Sequence, residues 1–165
     1  MATHYSISSL LRESITEYLA VSEYCVGYRK DRDIWGSTGC FGYPAAVLLL
    51  AIADSIGSYV IGGDTRNHFK ILNYKEYYNL NLTNEELKLV YEDHRCLLTH
   101  NAAMSLNVGL SVGEDKTEIV ERKDGKLYLN LEPFLKISKI AVAKFFNDID
   151  NIVNNSDQIN KILNK

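Results

Sequence analysis

Arg95 and His100 stand five positions apart in the segment YEDHRCLLTHN, residues 91–101. Their types suit cleavage of an RNA phosphodiester without a metal ion. That reaction needs a base for the ribose 2′-OH proton, an acid for the departing 5′-oxygen and a cation for the charged phosphorane. An imidazole titrates near pH ~6.5, so it can serve either proton transfer. A guanidinium keeps its charge and offers paired donors in a planar fork that matches phosphate. Two other imidazoles compete for the base role, His4 and His94. His94 falls on an apolar face and reads as a core histidine.

The helix that carries the pair announces its own start. Thr83 and Glu86 have capping-box spacing, and Leu82 and Leu87 occupy the flanking staple positions. Leu87, Val90, Tyr91, His94, Leu97 and Leu98 then recur at helical spacing, which gives one apolar face. On a regular helix, residues five apart diverge by about 140° and lie about 7.5 Å apart along the axis. Arg95 and His100 therefore converge only if the helix ends near Thr99 or if a second subunit supplies one of them. Asn101 is a residue type that tolerates a helix end.

The spacing of Arg95 and His100 within this helix resembles the R-x4-6-H signature of HEPN domains. These are small helical proteins of prokaryotic defence and toxin–antitoxin systems, many of them metal-independent endoribonucleases. The resemblance spans roughly residues 5–155 and outside the motif is one of pattern. It implies a mostly α fold, a bundle of about four main helices, and a homodimer in which two motifs share one cleft. It also implies Arg95 and His100 as catalytic residues, with Asp54, Cys96, Thr99 and Asn101 around them. An RNA substrate, a protein partner of toxin or antitoxin type, a cytoplasmic setting and no metal or cofactor follow from the same likeness. After the arginine the family often has Asn or Asp, whereas this chain has Cys96. Members without activity serve as antitoxin-like or scaffold modules, which is the alternative function.

The rest of the chain supplies the elements around that helix. Residues 7–29 read as a long amphipathic helix, with Ile7, Leu10, Leu11, Ile15, Tyr18, Leu19, Cys25 and Val26 near one stripe. A charged break from Arg29 to Asp33 follows, then Trp35 and a glycine-rich turn. Its basic residues either touch phosphate or form a solvated loop. Residues 43–61 are the most apolar stretch, with Pro44 suited to a helix start and Gly62-Gly63 to its end. The uninterrupted apolar run there is only 45–53, short of a membrane span, so a buried central helix is expected. Asp54 in its middle needs a partner. Arg95 is the available cation, either as a structural ion pair or as a side chain that Asp54 orients.

Residues 64–81 read as a short helix with an irregular link. Tyr74, Tyr77 and Tyr78 there either pack between helices or offer stacking surfaces beside Lys70 and Lys75. Leu106, Val108, Leu110 and Val112 alternate with small or polar residues, as a strand does. Two further runs, 117–121 and 126–131, are joined through Asp124-Gly125, a hairpin signal. A small antiparallel sheet over about 105–131 is expected before the last helix, as a lid, a dimer contact or decoration. That helix restarts at Glu132-Pro133 and breaks at Asn154-Asn155-Ser156, with a frayed tail beyond.

The 165 residues fit one domain with its own core. The formal net charge of −3 argues against coating nucleic acid by bulk electrostatics, so RNA work needs a local basic site. Cys25, Cys40 and Cys96 form neither a disulfide framework nor a zinc pattern. The N-terminal stretch lacks the pattern of a signal peptide. A small-molecule binder that uses the tyrosine-rich stretch is a third class. Gly-rich phosphate loops, zinc clusters and nucleophile elbows are missing from the sequence.

Overall fold

The apolar stretch becomes α3 (Gly42–Val60), the helix on which the others pack. Ala45, Ala46, Leu49, Leu50, Ile52, Ala53 and Ile56 along it are fully buried. It is long and apolar enough to cross a membrane by length and composition alone; here helices cover it. The computed structural model describes residues 5–113 and 116–159. His4 and residues 160–165 of the expected tail lie outside them.

Two long helices lie against α3 and against each other, α1 (Ile7–Gly27) and α7 (Leu131–Asn147). α1 opens on a reciprocal cap between Ser6 and Ser9, which satisfies two N–H groups that a helix start leaves free. α7 buries Phe134, Ala141 and Phe145 against α3, while Ile137 stays half-buried. It breaks at Asp148 rather than running on, and α8 (Ile149–Asn154) continues at a new angle of the backbone. Ser156 is buried and Ile159 packs on the core. The expected fraying from residue 155 therefore does not apply to the described part of the tail.

Between α1 and α3 lies the short α2 (Arg32–Trp35). After α3 come α4 (Thr65–His68) and a 3-10 turn, Phe69–Asn73. Tyr77 and Tyr78 are buried and Tyr74 is half exposed, so the tyrosines mainly pack.

The helix from Thr83 is one rod with three windings. α5 (Asn84–Leu89) is α-helical, Val90–Cys96 is π-helical, and α6 (Leu97–Asn101) is α-helical again. The Thr83–Glu86 capping box is present in both directions. A regular α-helix was the expectation; the π segment corrects it. The buried Val90, His94 and Leu98 recur every fourth residue and form the inward row of the rod. The rod ends with Ala102 in the left-handed conformation at φ 52°.

The sheet is mixed, not antiparallel throughout. β1 (Val108–Ser111), β2 (Val120–Lys123) and β3 (Lys126–Asn130) lie in the order β1-β3-β2. β2 and β3 form the expected hairpin, with Asp124 and Gly125 both at positive φ, as a two-residue turn requires. β1 runs parallel to β3, with Val108 opposite Leu127. The hairpin already fills one edge of β3, so β1 takes the other and the chain crosses over before β2. Leu106 is exposed and precedes the strand. In all, the protein is mostly helical with one small three-stranded mixed sheet.

Candidate functional site

Asp54 joins three elements. Its Oδ2 accepts a hydrogen bond from Arg95 Nη2 at 3.1 Å, and its Oδ1 lies 2.8 Å from His68 Nδ1. α3 supplies the carboxylate, the π segment the guanidinium and α4 the imidazole. The side chains are 16%, 26% and 9% exposed respectively. A carboxylate on an apolar helix is costly to bury alone, and here it has two partners.

Local sequence explains how His68 reaches it. Asp64 caps α4 by accepting from the Asn67 N–H at 3.0 Å. The His68 carbonyl then lies so close to α3 that a Cβ on Gly57 would sit 2.1 Å from it. Only glycine leaves room for that approach.

Arg95 spends one donor on Asp54, and an arginine has five. The side chain as a whole is only partly buried. Around it, the Cys96 thiol beside the Tyr91 phenol, together with burial, pushes the phenol above its ordinary pKa, partly offset by Arg95 and Arg66. Arg66 lies 3.5 Å from Glu92, which also has Lys88 at 3.9 Å. Thr99 Oγ1 donates to the Arg95 carbonyl at 2.7 Å, four residues back along the rod.

Of the residues singled out from sequence, Asp54 and Arg95 are in direct contact. Thr99 touches the Arg95 backbone and Cys96 lies beside Tyr91. His100 and Asn101 are exposed on the last turn of α6, and among the described residues neither bonds to Arg95. The rod continues past Thr99 to Asn101, so an early helix end does not bring the pair together. His94 is fully buried, with Nε2 3.1 Å from the Gly109 carbonyl. Burial holds its pKa below the ordinary value, partly offset by the Gly109 carbonyl and Asp93. It is a core histidine that ties the rod to β1.

His68 is the site member that the sequence reading passed over. Its signal was the need of Asp54 for partners, and His68 is a polar side chain 14 residues further on. Among the described residues no three His, Cys, Asp or Glu side chains gather as a metal site. Cys25, Cys40 and Cys96 are free thiols.

The arrangement can hold an oxyanion at Arg95 while Asp54 and His68 fix where that fork points. His100 offers an exposed imidazole on the same rod for proton transfer. No family model, no curated protein and no solved structure matches the chain.

Proposed function

We propose that this chain is a HEPN-like, metal-independent endoribonuclease of a defence or toxin–antitoxin system, cytoplasmic and acting as a homodimer. The observation that carries the reading is the bridged guanidinium: Asp54 holds Arg95 by one nitrogen and leaves the rest of the fork for phosphate. Arg95 and His100 leave one rod in different directions, so a complete site needs two copies with their rods facing. In that cleft one His100 imidazole takes the 2′-OH proton and the 2′-oxygen attacks phosphorus. The bond to the 5′-oxygen breaks, and that oxygen takes the proton the imidazole has gained, while the guanidinium of the facing copy holds the phosphate. The products are a 2′,3′-cyclic phosphate and a 5′-hydroxyl. Arg95 neutralises the phosphorane, the kind of electrostatic help that lowers such barriers most.

A second reading has its own observation. α1 exposes Leu10, Val21 and Tyr24 along its outer face, and such apolar surface marks interaction sites. On this reading the chain is a non-catalytic module of antitoxin or scaffold type.

Cleavage of a mixed single-stranded RNA pool in EDTA separates the two. Wild type should cut and His100→Ala should not, with both proteins equally folded and dimeric. If pure wild type fails to cut, the interaction module takes its place.

A further inference from the structure

The loop between α1 and α3 builds an aromatic platform that the proposed chemistry does not use. The Tyr28 and Phe41 rings stack 4.3 Å apart, and the Trp35 ring meets the edge of Phe41 at 5.3 Å. The ammonium of Lys30 lies 5.8 Å from the Trp35 ring centre and 5.6 Å from that of Phe41. Backbone bonds pin the loop at two points, Lys30 N–H to the Gly39 carbonyl and Phe41 N–H to the Cys25 carbonyl. Gly36 and Gly39 supply the positive φ its turns need. The platform is therefore ordered by the chain itself, before any ligand arrives.

It is also open. Trp35 is 49% exposed and Tyr43 56%, so their faces can be reached from solvent. Beside them lies a cavity of about 360 Å³ lined by Lys30, Cys40, Tyr43, Met104 and Leu110 among others. Met104 follows His100 by four residues, which bounds their separation to about 14 Å. One wall of the cavity is thus formed by the chain just beyond the rod that carries Arg95 and His100.

We infer that this platform is a subsite for single-stranded RNA, in which a base stacks on Trp35 or Tyr43 and Lys30 meets the adjoining phosphate. Aromatic faces beside a cation are the chemistry by which single strands are held without regard to sequence. Arg32 adds a second cation, while Asp31 and Asp33 on the same loop oppose it. The Asp31 carboxylate is turned onto the Asp33 N–H at 2.8 Å. Stacking rather than bulk charge then dominates, in keeping with the net charge of −3. A strand that enters over the loop is led toward the end of α6. The inference rests on the ribonuclease reading for its choice of ligand, and its test is separate from cleavage.

Trp35 is the one tryptophan of the chain, so its emission reports this site alone. A ten-nucleotide oligouridylate is titrated into full-length protein in EDTA, with anisotropy of a labelled copy followed in parallel. Saturable quenching of Trp35 is expected. Lys30→Gln and Tyr43→Ala, checked for folding by circular dichroism, should each weaken binding about tenfold. Binding by anisotropy with unchanged Trp35 emission, or with both variants at wild-type affinity, overturns the subsite. So does the absence of any binding. Trp35 emission that shifts with protein concentration alone would assign the platform to protein association instead. Quenching without cleavage keeps the subsite and removes the ribonuclease; cleavage without quenching does the reverse.

Discussion

At the scale of single residues, the site depends on Asp54 having two partners. Asp54→Ala leaves Arg95 and His68 without their acceptor and should cost about 2–4 kcal/mol. Chemical denaturation reads this loss directly. Asp54→Asn keeps the shape and loses the charge. If Arg95 works on phosphate, this variant should lower cleavage about ten- to a hundredfold through misdirection of the guanidinium. Turnover with saturating RNA is the measurement, and an unchanged rate would reduce the pair to a structural bridge. His94 gives a pH prediction. The folded protein holds it below its ordinary pKa, so the unfolded chain binds its proton first as pH falls. Stability is then present above about pH 6.5 and declines below it. Urea midpoints at pH 7.5 and 5.5 should differ, and His94→Asn should narrow the difference. The sequence showed that Asp54 needed a cation and offered Arg95. It did not show His68, because nothing local says that a carbonyl may press against Gly57.

At the scale of elements, Gly57 is the tightest point between α3 and α4. Gly57→Ala forces the His68 carbonyl away and should cost about 1–3 kcal/mol. For a chain of this size the melting temperature should fall by about 3–10 °C. Gly27→Ala is the control, since a Cβ there meets nothing within 4 Å; its melting temperature should hardly move. Helix starts were legible because they are written in adjacent residues, as the Thr83 and Glu86 cap shows. The hairpin was legible for the same reason, through Asp124 and Gly125. The π winding of Val90–Cys96 was not, because the spacing of Val90, His94 and Leu98 is equally that of an α-helical face. The parallel pairing of β1 was likewise hidden. Which edge a strand joins depends on where the helix before it delivers the chain, and no short pattern records that.

At the scale of the whole molecule, the divergence of Arg95 and His100 makes a testable statement about assembly. If a complete site draws on two copies, Arg95→Ala and His100→Ala chains should be inactive apart and partly active when mixed. A hybrid pair has one intact site of two, and hybrids make up half of a random mixture of equal chains. Activity of about a quarter of wild type is expected after the two are unfolded and refolded together. No recovery would mean that each chain builds its own site. The core sets a further condition on when any of this can appear. α3 is covered on one side by α1 and on another by α7, and these two meet through Arg12, which donates to the Phe146 carbonyl at 2.6 Å. Lys139 adds an ion pair to Glu23 at 2.6 Å. Asp54, His68, Arg95 and His100 all leave the ribosome before α7 does. Until residue 147 has emerged, α3 still shows an apolar face to water and its neighbours cannot hold it still. A nascent chain therefore carries every residue of the site before α7 is there to cover α3, and a protein that cuts RNA would gain its site only once residue 147 has emerged.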